Sequence, residues 1–414
     1  LDFLSGGNVY RHFKEVNEIN SNPCQLSEKI QFNLRNLIQH ATTTTPYYEK
    51  YRGCRTLDDF PVINKEVVKE NTDKFLSIKY KDKDLYTVST SGSTGIPFIL
   101  QQDANKRNRL KADLIYFGKV CGYEIGDKYV HLRVWSEWKK KRYLSQLKQN
   151  VVPVDISRLD DESINQLYEL LNTDKKIRCI NGYAKSLDII SKYFLENSLI
   201  PDSNIKVVIS SAEVLTEGMK KDIGAAFNSN VVSRYANEEI GFLAQQPVNS
   251  DYFLVNEASV YMEFLKLDSD ARAEPGETSR IVVTDLFNYA YPLIRYDTGD
   301  LAQYDFAPDG RKIITEIHGR AADFIYDTNG RRLVSFAVTN KMERLRGIKQ
   351  YQLLQTDTKA YTLRLVADSN MLVENEVVGL LKSVLGEDAL INVDMLEAIE
   401  PLASGKYKTV ICEI

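Results

Sequence analysis

The chain is short of histidine and cysteine, the ligands that transition-metal and zinc sites use most. Its 414 residues include four histidines (His12, His40, His131, His318) and five cysteines (Cys24, Cys54, Cys121, Cys179, Cys412). No histidines stand at HxxxH or HExxH spacing, so no metalloenzyme pattern is visible. The cysteines are scattered, odd in number and form no CxxC pair. That argues against a disulfide framework and against a structural zinc site. A reducing cytoplasm is the simplest setting for such a chain. No apolar run approaches the roughly 20 residues that a membrane-spanning helix needs. The opening LDFLSGGNVYRHF lacks the basic and long apolar regions of a signal peptide. Basic charge is not in excess, with 53 Lys and Arg against 57 Asp and Glu. Nothing therefore favours nucleic acid or an anionic membrane as the main partner.

What is present suits a globular protein of about two or three domains. Residues 25–60 carry Leu26, Ile30, Phe32, Leu34, Leu37 and Ile38 near helical period, which predicts helix there. Pro61 to Lys65 reads as a helix start. DKYVHLRV (127–134), VVPVDIS (151–157), KIRCING (176–182), IKVVISS (205–211) and NVVSRY (230–235) read as strands. Helical stretches such as LDDESINQLYELLN lie between them, and this alternation predicts a parallel sheet in an α/β domain. After about residue 250 the rhythm changes. YFLVNEASVYMEFLKL, SRIVVTDL and RKIITEIHG read as consecutive strands of a meander or small barrel-like region. From 321 to 414, strands QYQLLQT, AYTLRLVA and KTVICEI with a helix at 374–385 predict a small α+β lobe. The expected architecture is thus α/β: a large N-terminal lobe, 1–320, with mixed or parallel sheets and helices, and a C-terminal lobe, 321–414.

Residues 87–98 read TVSTSGSTGIPF. Glycines let the backbone approach a ligand and take positive φ, successive N–H groups can form an anion-binding nest, and the hydroxyls add donors. A polyphosphate cradle meets that description. A polar surface turn does too, because the same residue types dominate turns. It is not a P-loop, since Gly95 is followed by Ile96 and Pro97 rather than by Lys. A lysine serving this loop must come from elsewhere.

Five further segments follow in a fixed order. IKVVISSAEVL carries Ser211, Ala212 and Glu213, and VVSRYANEEIG carries Tyr235, Ala236 and Glu239. YPLIRYDTGDL carries Arg295, Thr298, Gly299 and Asp300, IHGRAADFIYDTNGRRL carries Arg320 and Asp323, and LASGKYKTV carries Lys406. From about residue 80 onward the series TSGSTGIP, YANEE, YDTGD, GRAAD, SGK resembles the adenylate-forming superfamily of acyl-CoA ligases, adenylation domains and luciferases. Within it the chain looks most similar to the compact phenylacetate–CoA ligase branch and its capsule-biosynthesis relatives.

The resemblance implies a two-step reaction on ATP and a small carboxylate. An acyl-adenylate and pyrophosphate form first, and the acyl group then passes to CoA or to an amine acceptor. It implies that Ser91, Gly92, Ser93, Thr94 and Gly95 hold the β- and γ-phosphates, that Ala212 and Glu213 line the adenine pocket, and that Tyr235 stacks on adenine with Ala236 beside it. It implies further that Glu239 ligates Mg²⁺, that Asp300 accepts hydrogen bonds from the ribose hydroxyls, that Arg320 touches ribose or phosphate, and that Lys406, on a mobile C-terminal lobe, reaches the α-phosphate and the carboxylate. Near the acid, His131, Trp135 and Tyr183 are candidates, with Arg133 and Asn181 as neighbours; plain strand and core residues remain an equal reading. Lys139–Arg142 could meet CoA phosphates or form a solvated charged face.

Two positions depart from the family pattern. Glu238 stands where a small hydroxyl is usual, and a carboxylate beside phosphate is repulsive unless a metal or lysine intervenes. Ala322 stands two residues after Arg320, where Asp or Lys is usual. These departures keep open a catalytically impaired nucleotide-binding homologue.

Overall fold

The computed structural model describes residues 6–90, 98–135, 146, 147, 149–320, 324–342, 345, 347–367, 374–400 and 407–414. Ser91, Gly92, Ser93, Thr94, Gly95, the basic run 139–142, Ala322, Asp323 and Lys406 lie outside the described residues. The strands are β1 Tyr86–Thr90, β2 Phe98–Gln102, β3 Lys128–Arg133, β4 Val151–Asp155, β5 Ile177–Tyr183, β6 Val207–Ser211, β7 Asn230–Asn237, β8 Gly241–Gln245, β9 Phe253–Val255 and β10 Val260–Leu265. They continue as β11 Ser279–Asp285, β12 Tyr296–Phe306, β13 Lys312–Arg320, β14 Phe324–Tyr326, β15 Arg332–Val334, β16 Ile348–Gln355, β17 Ala360–Ala367, β18 Leu390–Met395 and β19 Val410–Cys412. The fold is mixed α/β, with a smaller sheet near the C-terminus, as the alternation of elements leads one to expect. The chain forms two compact units, each from two separate stretches: Leu1–Ile125 with Val232–Ile317, and Gly126–Val231 with His318–Ile414.

In the first unit the strands follow the order β10-β11-β12-β13-β9-β8-β7, while β1 and β2 form a separate hairpin. The helix expected over 25–60 is shorter. It spans Pro23–Thr44 and ends at Thr45, which is extended, because Pro46 disfavours helical backbone in the residue before it. Short 3₁₀ turns follow at Pro46–Tyr51 and Leu57–Asp59. The expected start near Pro61 is real, and Asn64 caps the helix Lys65–Glu70 by accepting from Val67 N at 3.0 Å.

Hydrophobic periodicity does not reveal the helix Ala104–Val120. Its buried face carries Lys106, Arg109 and Asp113 beside Ala112 and Phe117. These charges are neutralised locally. Lys106 Nζ lies 2.7 Å from Asp285 Oδ2, and Arg109 Nη1 lies 2.7 Å from Glu15 Oε2. Asp103 caps this helix through Lys106 N (2.7 Å), and its other oxygen accepts from Tyr289 N and Ala290 N at 3.1 and 3.2 Å.

In the second unit β6-β5-β3-β4 are neighbours and run parallel. Helices Asp161–Thr173, Ala184–Glu196 and Glu217–Phe227 accompany them. Val130, Leu132, Ile180, Leu187, Phe194 and Phe227 are part of the buried core of this region. The fifth strand of the expected series, β7, pairs antiparallel with β8. The same unit contains the sheet β18-β17-β16-β19, cored by Leu353, Leu363, Leu365 and Val377, with the helix Glu374–Leu385 where the sequence predicts it.

Candidate active site

The first unit gathers several of the expected nucleotide residues. Asp300 lies on β12 opposite β11. Arg280 pairs with Leu301 and Val282 with Asp297, so Thr298, Gly299 and Asp300 together face the single residue Ile281. Such a bulge bends a strand and re-aims its side chains. Gly299 supplies the left-handed backbone it requires, at φ 75. The bulge is pinned on both sides. Asp297 Oδ1 accepts from Gly299 N at 2.9 Å, and Asp297 Oδ2 accepts from Arg280 Nη1 at 2.7 Å. Thr298 Oγ1 donates to Ile281 O at 3.0 Å and accepts from Asp300 N at 3.2 Å. The turn-like sequence Asp-Thr-Gly-Asp is therefore a strand irregularity rather than a surface loop.

Tyr235 on β7 reaches this bulge. Its phenol is 2.7 Å from Asp300 Oδ2 and 3.3 Å from Thr298 Oγ1. A phenol donating to a carboxylate forms a charge-assisted bond that fixes the carboxylate's orientation. The sequence names both residues but does not join them. Ala236, next on the strand, is exposed.

Glu239 lies in the turn between β7 and β8. Asn237 Oδ1 accepts from Ile240 N (2.8 Å) and Gly241 N (3.3 Å), closing the turn. Glu239 is 8% exposed, whereas its neighbour Glu238 is exposed. The backbone oxygen of Glu239 accepts from Gln102 Nε2 at 3.3 Å. Gln102 ends β2, whose pairing with β1 sets Phe98 opposite Thr90. The Ser/Thr/Gly stretch thus connects two paired strands, and one of them is tied to the Glu239 turn. Nothing in the sequence signals Gln102. Among the described residues no three His, Cys, Asp or Glu side chains cluster so as to hold a metal. A single carboxylate suits Mg²⁺, which commonly binds one or two carboxylates together with substrate phosphates, and Glu239 fits that donor set.

Arg295, also in the TGD segment, has a different place. It is buried with φ 52. Its guanidinium meets both Glu263 oxygens, at 3.2 and 3.1 Å, and donates to Phe60 O at 2.9 Å. It anchors the entry to β12.

In the second unit, the parallel register sets Tyr183 opposite Ser211, and His131 opposite Asn181. Tyr183 and Ser211 end their strands, and His131 and Asn181 lie two residues before the ends of theirs, near the usual ligand edge of an open α/β sheet. His131 packs edge-on against Trp135, with ring centroids 5.4 Å apart. Trp135 is buried and donates from Nε1 to Val154 O at 3.2 Å. Packing around Gly182 is tight, since a Cβ there would lie 3.1 Å from Leu132 Cβ and 3.2 Å from Leu187 Cγ. Ala212 follows β6 with left-handed backbone, φ 69. Glu213 then directs its carboxylate at two backbone amides, Lys185 N at 2.9 Å and Tyr407 N at 3.0 Å. Arg320 ends β13 and is exposed.

Residues 325–413 match the family model described as the CapK C-terminal domain. Protein CapK of Staphylococcus aureus is 27% identical over 257 residues, covering 60% of this chain and 54% of that protein. The match thus spans about half the length of the curated relative. Among solved structures, 2-hydroxyisobutyryl-CoA ligase in the postadenylation state in complex with R3-HIB-AMP has a similar fold. Its TM-score is 0.73 at 18% identity, over 93% of this chain and 89% of that one. ATP-bound MatB from Rhodopseudomonas palustris is similar with a TM-score of 0.58 at 14% identity, over 80% of this chain and 68% of that one.

Proposed function

From a chain with the fold of the adenylate-forming acyl-CoA ligases, we propose an ATP-dependent enzyme that activates a small carboxylic acid as its acyl-adenylate and then transfers the acyl group to CoA. The observation that carries this reading is the Tyr235–Asp300 pair on a pinned bulge. A carboxylate held by a phenol is pre-oriented to accept two hydroxyl hydrogen bonds, as from a ribose.

In the first step a carboxylate oxygen bonds to the α-phosphorus of ATP, the bond to the bridging oxygen breaks, and pyrophosphate leaves. The chemistry calls for positioning and charge neutralisation. Ser91, Gly92, Ser93, Thr94 and Gly95 are proposed to hold the departing phosphates, and Asp300 the ribose. Ala212, Glu213, Tyr235 and Ala236 are proposed for the adenine side and Arg320 for the ribose or phosphate. Glu239 would hold Mg²⁺, which supplies charge compensation on phosphate oxygens. Lys406 is proposed to sit at the α-phosphate and the incoming carboxylate. His131, Trp135 and Tyr183 are proposed for the acid. The proposed lobes are 1–320 and a mobile 321–414, and the cytoplasm is the proposed setting.

The test is acid-dependent exchange of pyrophosphate into ATP across a panel of acids, in the wild type and in Lys406→Ala. Exchange with some acid, lost by at least a hundredfold in the variant, is expected. ATP binding without exchange for any acid would refute adenylation and leave a nucleotide-binding homologue. The second acceptor reading is transfer to an amine in capsule or surface-polysaccharide assembly. Identifying the product formed with CoA or an amine present separates the two.

A further inference from the structure

We propose that Arg280 is a positioning residue for the nucleotide, acting through Asp297 on the β12 bulge and so setting the aim of the Asp300 carboxylate. This rests on the ribose reading of Asp300. Arg280 belongs to none of the motifs and is not proposed to touch the nucleotide itself.

Arg280 lies on β11, directly before Ile281, the residue that the bulge faces. Its guanidinium is a hub. Nε donates to Lys266 O at 2.9 Å, and Nη2 donates to Ser269 O at 2.9 Å and to Asp270 Oδ1 at 2.8 Å. Those three acceptors lie in the connection between β10 and β11. The planar fork is thereby fixed in direction before it reaches Asp297. Nη1 then donates to Asp297 Oδ2 at 2.7 Å. The two side chains are 20% and 15% exposed, so water screens this pair less than it does an ordinary surface pair.

Asp297 passes the restraint along the strand. Its own N–H donates to Ile63 O at 2.8 Å, which holds its backbone. Its second oxygen accepts from Gly299 N at 2.9 Å and so fixes the left-handed residue of the bulge. Asp300 is the next residue. Its N–H is held by Thr298 Oγ1 and its Oδ2 by the Tyr235 phenol. Tyr235 thus fixes the carboxylate, and Arg280 fixes the backbone from which that carboxylate projects. Every link from Arg280 to Asp300 is a hydrogen bond or a covalent bond, and all of them lie in the first unit.

The test is ATP affinity by calorimetric titration, with Tm showing that each variant is folded. Arg280→Met should weaken binding about tenfold, through loss of one charge-assisted bond that orders the site. Arg280→Lys keeps a donor for Asp297 and should lose only about threefold. A residue that acts through Asp300 adds nothing once Asp300 is gone. Arg280→Met with Asp300→Ala should therefore bind within about twofold of Asp300→Ala alone. In exchange assays the loss from Arg280→Met should fall on KM for ATP and leave the maximal rate within about twofold. If Arg280→Met does not fold, Asp297→Asn breaks the same link and should show the same non-additivity. Additive losses overturn the proposal, since they make Arg280 act on ATP by its charge alone, and so does an unchanged affinity in a folded Arg280→Met. A wild type that binds no ATP, or an Asp300→Ala that binds as well as wild type, overturns the ribose reading and this proposal with it. Failure of this proposal alone leaves Asp300→Ala weakened, which tells the two apart.

Discussion

Replacing Lys106 with methionine should unfold the first unit at a markedly lower temperature. Lys106 Nζ is 2.7 Å from Asp285 Oδ2, and the two side chains are 2% and 1% exposed. Burial already pushes the Asp285 carboxyl above its ordinary range, and Lys106 is the strongest force pulling it back. Removing one member of such a pair strands the other charge and costs about 3–5 kcal/mol. Asp285 Oδ1 keeps its bond from Phe287 N at 3.1 Å, which places the loss near the lower end, about 3 kcal/mol. For a unit of about 200 residues each kcal/mol shifts Tm by about 2–4 °C, so the fall should be about 6–12 °C. Scanning calorimetry measures it. The double variant Lys106→Met with Asp285→Leu removes both charges and should recover most of the loss, because burying apolar groups in place of an ion pair is often neutral or favourable. A fall below about 2 °C, or strictly additive single losses, would refute the pairing argument, since contacting residues should couple by about 0.5–3 kcal/mol.

Asp300→Ala should weaken ATP binding about a hundredfold by calorimetric titration, through loss of two hydrogen bonds to a charged acceptor; unchanged affinity would remove Asp300 from the ribose. Gly241→Ala should destabilise by about 1–3 kcal/mol in urea melts, because φ is 96 and the new Cβ would lie 2.7 Å from Leu110 Cδ1. Adding Leu110→Ala should relieve only the steric part; full recovery would show that φ carries no strain. Acidification should loosen the helix Asn8–Ser21. Burial pushes the Glu15 carboxyl up, but Arg109 and Lys29 outweigh it and hold it below the ordinary range. His12 is also lowered, chiefly by burial. Groups depressed in the fold contribute stability above their unfolded pKa values and lose it as pH falls through the folded ones. Amide protection factors in residues 8–21, corrected for the intrinsic pH dependence of exchange, should therefore fall first with His12 and then below the ordinary Glu range. Glu15→Gln should remove the lower-pH step, and pH-independent protection factors would contradict the assignment.

The architecture was legible in the sequence wherever burial followed a simple period. The parallel strands β3, β5 and β6 and the helix Glu374–Leu385 stand close to their expected bounds because apolar residues fill most of their buried positions. The helix Ala104–Val120 was hidden because its inner face is built from Lys106, Arg109 and Asp113, whose partners lie far away in sequence. The end of the helix at Thr44 was written in Pro46 but outweighed by a run of apolar spacing. For the candidate site, motif order named Tyr235, Asp300 and Glu213. It could not reveal that Tyr235 donates to Asp300, or that Glu213 serves two amides, because those contacts depend on strand register and on a two-residue bulge. Gln102 carried no signal at all, since a lone buried glutamine looks like any other polar residue.

The division of each unit into two stretches has a consequence for how the molecule is made. Among the described residues, the core containing Val130, Leu187 and Phe227 draws its buried members from residues 130–231, and these are all present once that span has left the ribosome. The core containing Tyr48 and Phe75 is not, because it waits for Tyr291, Ile294 and Ile314, and Ile63 waits for its bridge to Tyr296. During synthesis the middle of the chain should therefore become protected before its beginning, an order that pulse-labelled amide exchange on stalled chains would reveal.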